Sequence, residues 1–255
     1  MVLLLVTGDA LTEALKRATT SPDAHVRAAA ARALGDTGDR SAMTQLITLL
    51  RDDNDIVSAA AAEALGKLGA DSVMTEFIEV LTQPSADTNA APGLVVGTES
   101  PTLKEFAAMK QEERFTAAIR VLGRSHNPRA VQPLLDHGLK SDAMGVRIAA
   151  AIALGRLKDR RAVAPLVELL QTYYDLRDKL KSGPIFEKTP SPAEQHLKES
   201  EAYLRAAIVW ALGEICDSGA LPALKRAVDD DNSLVRDAAK EALDKLGSVT
   251  LSPRR

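Results

Sequence analysis

The tripeptide Ala33-Leu34-Gly35 returns as Ala64-Leu65-Gly66, Val121-Leu122-Gly123, Ala153-Leu154-Gly155 and Ala211-Leu212-Gly213, and once more without its glycine as Ala242-Leu243-Asp244. The leucines are 31, 57, 32, 58 and 31 residues apart. Self-similarity at a fixed period on this scale belongs to arrays of stacked units, none of which buries its apolar face alone. The two long spacings exceed the short ones by about 26 residues, so the third and fifth copies of a unit of about 31 carry insertions. A longer period of 88 to 90 residues relates Leu34 to Leu122, Leu65 to Leu154, Leu122 to Leu212 and Leu154 to Leu243. A plain unit followed by an inserted one is thus repeated. We expect a single repeat domain over 1–255, with units at about 9–39, 40–70, 71–127 (insertion 82–112), 128–159, 160–217 (insertion 171–201) and 218–247, and a disordered tail at 248–255.

Each unit reads as two helices, A and B. In the fourth, 130–135 opens helix A, Ser141-Asp142 makes the turn, and 146–157 is helix B. Pro133, Pro165 and Pro222 recur near the first turn of helix A, where a missing N–H costs little because the first N–H groups have no intrahelical partner. Asp23, Asp55, Asp142 and Asp231 stand before helix B as capping carboxylates. The recurring glycines read as helix stops, and Asp39, Asp159 and Asp217 mark the step to the next unit. Four and five residues before each leucine stand Ala29/Ala30, Ala60/Ala61, Ala117/Ala118, Ala149/Ala150, Ala207/Ile208 and Ala238/Ala239. At 100° per residue these fall on the leucine's side, together with Val26, Val57, Val146 and Val235. Alanine lets neighbouring helices approach closely. Apolar residues are 45% of the chain and aromatics only 3%, which disfavours a sheet. The expected fold is all-α, an αα-superhelix (solenoid) of about six helix pairs.

The pattern Asp-x-x-Val-Arg … Ala-Leu-Gly, as in Asp23-Ala24-His25-Val26-Arg27 … Ala33-Leu34-Gly35, resembles that of HEAT repeats. More narrowly, it resembles the short HEAT-like repeats of phycobilisome lyases. The likeness covers about residues 10–247 apart from the insertions. Arg27, Arg147, Arg205 and Arg236 match the family's arginine after the valine. The resemblance implies a ladder of Asp–Arg pairs between adjacent units, interrupted where the second unit has Ser58 and the third reverses the order in Arg114-Phe115. It implies little about function, because this unit serves scaffolds, bilin lyases, a diiron hydroxylase and regulatory proteins.

The residues offer little chemistry. The hydroxylase class that shares the repeat holds iron through His-Glu pairs, but the histidines here stand in His25-Val26, His126-Asn127, His137-Gly138 and His196-Leu197. No spacing resembles a zinc site, the single Cys216 supplies no thiolate cluster, and no glycine loop is placed to cradle phosphate. Cys216 reads as a packed thiol, with a catalytic Cys-His pair as the alternative. His126 and His137 read as capping or surface residues. The expectation is therefore no metal, no cofactor and no enzymatic activity. One cysteine fits a reducing, cytoplasmic location. The apolar run 2–6 is short and lacks the basic flank of a signal peptide. No stretch approaches the roughly 20 apolar residues needed to span a bilayer.

Helix B should expose the positions two and six residues before each leucine and two after it, and in HEAT-like arrays this face lines the concave surface. The row two before reads Arg32, Glu63, Arg120, Ile152, Trp210 and Glu241; six before, Ala28, Ala59, Thr116, Ile148, Ala206 and Asp237; two after, Asp36, Lys67, Arg124, Arg156, Glu214 and Lys245. The ends of the array are polar there. At its centre Ile148, Ile152 and Trp210 form an apolar strip flanked by Arg120, Arg124 and Arg156. An apolar patch with a polar rim is a candidate binding site, and Trp and Arg are favoured at interface hot spots. Between 113 and 161, ten Lys/Arg face four Asp/Glu, a balance of +6 against −9 elsewhere. Either this basic centre steers an anionic partner, or its arginines pair with neighbouring acids.

Both insertions fall between helices A and B and should leave the same edge. The first, with Pro84, Asn89, Pro92, Gly93, Gly97 and Pro101, reads as loop followed by a short helix at 101–110. The second continues helix A through Tyr173, Tyr174, Leu176 and Leu180, breaks at Gly183-Pro184, and resumes as helix from about 193. Seven of the eight aromatics (Phe106, Phe115, Tyr173, Tyr174, Phe186, Tyr203 and Trp210) lie in or just after the insertions. Either the insertions close over the strip and make Trp210 core, or they extend a groove. The leading expectation is a scaffold that holds a protein or peptide segment with acidic groups on the concave face of units three to five. The repeat subtype implies an alternative, a bilin lyase or chromophore-handling protein whose arginines meet propionates and whose aromatics stack on the tetrapyrrole. Nucleic-acid binding is a third reading, opposed by the acidic balance of the whole chain.

Overall fold

The computed structural model describes residues 8–68, 75, 77–79, 82, 111–181 and 192–250; among them the regular structure is helical, with no strand. The chain forms two compact units, Met1–His126 and Asn127–Arg255. In the first, α1 (Gly8–Ala18) leads to α2 (Ala24–Thr37), and α3 (Met43–Leu49) to α4 (Asp55–Leu68). There α4 packs against both α2 and α5 (Gln111–Arg124). In the second, α6 (Val131–Pro133) runs into a π-helical turn, Leu134–Gly138, that packs on α7 (Met144–Leu157). Next come α8 (Val163–Lys181) with α9 (Pro192–Ile215), and α10 (Leu221–Ala227) with α11 (Ser233–Thr250). Helix α9 contacts both α7 and α11.

Short side chains govern where these helices begin. Among the described residues, four steps into a helix A are 3₁₀ turns: Arg40–Ala42, Pro128–Ala130, Arg160–Ala162 and Ser218–Ala220. Asp39, Asn127, Asp159 and Asp217 each accept a hydrogen bond from the backbone N–H two residues on, so the three aspartates that mark the step between units in the sequence do so as caps. The last residue of each turn, Ala42, Ala130, Ala162 or Ala220, is completely buried. Before helix B only Asp23 caps as expected, accepting from His25 N–H at 2.7 Å. Asp55 is the first residue of α4, and Asn54 caps Ile56 N–H; Asn232, not Asp231, caps Leu234 N–H. The residue before α7 is Ala143, with no side-chain cap, so Asp142 does not fill that role. Position directly before the first helical residue decides the cap, and an Asn carboxamide oxygen accepts there as a carboxylate does.

The recurring glycines are not helix stops. Gly35, Gly66, Gly155 and Gly213 lie inside α2, α4, α7 and α9. A Cβ on Gly35 would stand 2.6 Å from Ala64 Cα, one on Gly155 2.7 Å from Ala211 Cα, and one on Gly213 2.7 Å from Ala242 Cβ. The Gly of one Ala-Leu-Gly is therefore the bed for the Ala of the next, and only these two residue types allow the approach. The actual stop lies four residues after the leucine. Gly38, His126, Lys158 and Cys216 occupy that position with left-handed φ of 71°, 53°, 54° and 55°, the turn that closes an α-helix.

The leucines Leu34, Leu65, Leu122, Leu154 and Leu212 are fully buried, as are the residues three before them, Ala31, Ala62, Ile119, Ala151 and Val209. The six-before row departs from expectation, because Ala28 and Ala206 are buried. Six residues back is 120° from the leucine, a flank that still meets a neighbouring helix. Val57, Val146 and Val235 are core, but Val26 is 43% exposed and Ala29 is exposed, in the first turns of α2. The second insertion lengthens two helices. Helix α8 has 19 residues, and α9 runs unbroken for 24 from the insertion through helix B. The expected helix at 101–110 and the break at Gly183-Pro184 lie outside the described residues. Helix α11 reaches Thr250, so residues 248–250, read as tail, are helical.

Two pairs of variants test this packing by urea unfolding. Gly213→Ala should lower stability by about 1–3 kcal/mol through overpacking. Gly247→Ala, in α11 with nothing within 4 Å of the added Cβ, should raise it by up to about 1 kcal/mol. At the left-handed position, Gly38→Ala should cost about 1 kcal/mol and His126→Gly should gain a similar amount.

Candidate binding site

Ile148, Ile152 and Arg156 follow one another at four-residue steps on one face of α7, and all three are half-buried. Trp210 reaches this helix from α9. Its Cζ3 lies 2.8 Å from where a Cβ on Gly155 would stand, so the ring rests on bare backbone. Trp210 is half-buried as well, neither sealed core nor isolated surface. Arg120 and Arg124 lie one turn apart on α5 in the first unit, both half-buried. Arg120 Nη1 donates to Ser58 Oγ at 3.4 Å, which draws the guanidinium back onto α4. Arg124 and Arg156 are also engaged.

Much of the basic stretch is paired. Lys140 meets Asp136 at 3.4 Å, Arg161 meets Asp159 at 2.7 Å, Lys158 meets Glu214 at 3.0 Å and Arg160 meets Asp217 at 3.2 Å. The two-after row pairs along itself, Asp36 with Lys67 at 2.8 Å and Glu214 with Lys245 at 2.7 Å. These pairs reduce the field that a count of charges suggests. The half-buried Cys216 donates its thiol to the Lys245 carbonyl at 3.7 Å, in keeping with a packed thiol.

The Asp–Arg ladder is present, with partners other than the capping aspartates. Arg27 Nε and Nη2 donate to both oxygens of Asp52 at 2.7 and 2.8 Å, and Arg205 Nε and Nη2 to both oxygens of Asp230 at 2.9 and 3.0 Å. Each acceptor lies 25 residues on, in the turn that follows the next helix A. Two parallel N–H···O bonds make each pair strong and directional. Burial alone would raise the Asp230 carboxyl pKa, but Arg205 and the Asn232 N–H hold it below the usual carboxylate range. Arg27 does the same for Asp52. Arg147 instead donates Nη1 to the Tyr173 hydroxyl, 26 residues on, at 3.0 Å. Ser58 breaks the ladder as expected; the Arg114 side chain lies outside the described residues. Arg236 turns to its own loop, donating to the Asp230 and Asp231 carbonyls at 2.8 Å each.

Around these rungs the lengthened α8 and α9 leave a cavity of about 570 Å³, whose walls include Tyr173, Leu176, Arg177, Glu201, Arg205 and Asp231. The nearby Tyr174, 1% exposed, has the guanidinium groups of Arg177 and Arg226 over its ring, 4.8 and 4.9 Å from the ring centre. Arg226 also holds Asp175 at 3.0 Å and Asp178 at 2.6 Å, tying the added turns of α8 to α10. Burial raises the pKa of both Tyr173 and Tyr174, so both phenols are neutral. Sequence reasoning missed this cleft. Its signal was the recurring Asp-Asp-Asn at 52–54 and 230–232, starting 25 residues after an arginine in both places. Among the described residues, no three His, Cys, Asp or Glu side chains are grouped to hold a metal ion, and no helix is long and apolar enough to cross a membrane.

Stacked helix pairs with an arginine–aspartate ladder define a repeat protein of the α-solenoid class. The family description of HEAT repeats matches residues 9–91, 100–180 and 190–254, and the chain belongs to that family. None of the curated proteins compared with it matches. Among solved structures it is similar to human deoxyhypusine hydroxylase in complex with glycerol, with 21% identity, a TM-score of 0.39, and coverage of 93% of this chain and 84% of that one. It is similar also to the complex of CpcE and CpcF of phycocyanin lyase from Nostoc sp. PCC7120, at 22% identity and TM-score 0.40, covering 95% and 83%. A designed armadillo repeat protein in complex with the peptide (KR)4 matches at 20% identity and TM-score 0.33, covering 92% and 99%.

Removing the buried carboxylate with Asp230→Ala should destabilise the fold by about 3–5 kcal/mol, because Arg205 is left unpaired. The pair's contribution is present above the unfolded carboxyl pKa of about 3.9 and is lost as pH falls through the lower folded value. Acid unfolding followed by circular dichroism should therefore be shallower in Asp230→Asn than in the parent.

Proposed function

We propose that this chain is a non-catalytic cytoplasmic scaffold. It holds a protein or peptide segment on the concave, outward face of the B helices of the third to fifth repeats. The observation that carries this reading is Trp210 on Gly155. A half-open indole is held against α7, whose own face carries the half-open Ile148 and Ile152. A rigid aromatic with aliphatic neighbours is the composition of an interface anchor, and repeat arrays bind along such faces. Arg156 continues the same stripe. On α5, Arg120 and Arg124 bring the same chemistry to the first unit, and guanidinium groups suit a partner that carries carboxylates.

Trp210→Ala should weaken capture of the natural partner by 1 kcal/mol or more, about fivefold in Kd. Trp210 also packs on Gly155, so Ile152→Lys serves as a companion that alters a half-open side chain alone. Both variants should keep the parent's helical circular dichroism. Unchanged affinity in both would remove this surface from the binding site.

A further inference from the structure

Taking that scaffold surface as given, we infer that the segment it holds is an amphipathic α-helix lying along α7 and α9, not an extended strand laid across the array. Tyr203 stands seven residues before Trp210 in α9, two turns away on the same side, and is 59% exposed. Between the two rings the side of α9 is lined by the short Ala206 and Ala207, which lie low and leave a trough. In α7 the residue that matches Tyr203 is Gly145, nine before the repeat leucine, exposed and without a side chain. The half-buried Ile148 and Ile152 follow it on the same side. Helices α7 and α9 are in contact, with Gly155 on Ala211. Their two faces thus form one apolar strip, about 10 Å long, that runs with the helix axes.

Across the array the strip stops. On α11 the positions that match Ile148 and Ile152 are Asp237 and Glu241, with side chains 73% and 62% exposed. Leu234, which matches Tyr203, widens the strip at one end only. An extended chain laid from α7 over α9 would carry its next anchor onto those carboxylates. A strip two helices wide and two turns long instead fits the apolar side of a third helix, with anchors at i, i+3, i+4 and i+7. The ends of the strip differ in sign. Arg156 follows Ile152 by one turn on α7, and Glu199 precedes Tyr203 by one turn on α9. A partner helix with acids in its first turn and bases in its last meets both when it lies antiparallel to α7 and α9. That order of charge also suits its own dipole.

Trp210 is the one tryptophan of the chain, so its fluorescence reads occupancy directly. The full chain is titrated with acetyl-Glu-Glu-Leu-Ala-Gln-Leu-Leu-Ala-Gln-Leu-Ala-Lys-Lys-amide, whose leucines carry the helical spacing. The Trp210 emission should shift saturably, and the circular dichroism of the mixture should show more helix than the sum of its parts. A proline in place of the central alanine of the peptide should weaken binding at least about tenfold. Exchanging its Glu and Lys pairs should weaken it at least about threefold. In the protein, Tyr203→Lys should weaken binding at least about fivefold and leave its own helical signal unchanged. No saturable shift, equal affinity for the proline peptide, or unchanged affinity in Tyr203→Lys overturns the inference. If capture of the natural partner still depends on Trp210 and Ile152 while the proline peptide binds as well as its parent, the surface stands and the helical form of the partner falls.

Discussion

The close approach of one helix B to the next depends on a single contact, glycine against alanine. Gly35 on Ala64, Gly155 on Ala211 and Gly213 on Ala242 leave no room for another carbon. With the backbones that near, the leucine between the two small residues is sealed, and the residue three before it becomes core as well. At Gly155 the bare backbone also seats the edge of the Trp210 ring, 2.8 Å from where a Cβ would stand. The contact changes where the array changes. Gly66 meets the Arg124 backbone and Ser125 N rather than an alanine, at the repeat that carries the first insertion. In the last repeat Asp244 takes the glycine's place.

The ladder adds direction to this packing. A methyl-sized contact allows sliding along the helix axis, and a bidentate Arg–Asp pair does not. In the second unit the ladder and the insertion are one construction. Arg147 meets a tyrosine of the lengthened α8, Arg205 meets Asp230 beside it, and Arg226 clasps Asp175 and Asp178. The described part of the second insertion is therefore anchored to α10. It leaves Ile148, Ile152 and Trp210 half-open.

The repeat period, the helix pairs, the buried leucines and the extension of α8 through Tyr174 were all legible in the sequence, because periodicity reports directly on which side of a helix is dry. The role of the glycines was not. A glycine after a leucine near a helix end looks like a stop, and only the neighbouring helix reveals it as a bed. The capping residues were misplaced by single positions, since Asp and Asn stand side by side at 52–55 and 229–232 and a periodic pattern does not choose between neighbours. The site was half legible. A helical wheel places Ile152 and Trp210 outward, but it is blind to Ser58 holding Arg120 and to Gly155 seating Trp210. Tyr173 in place of an aspartate was invisible because its partner is 26 residues away.

That phenol has a consequence for how the array responds to its surroundings. An arginine with an aspartate is a neutral dipole that dissolves when the carboxylate takes a proton. The rung built from Arg147 and Tyr173 has no carboxylate, and burial keeps the phenol from ionising. Acid that protonates Asp52 and Asp230 removes the charged acceptor from the rungs they complete, but it leaves the phenol oxygen of Tyr173 able to accept from Arg147. Within the ladder this rung is thus the one whose acceptor is neutral from the start, so the second unit keeps one tie between α7 and α8 through a loss of carboxylate charge.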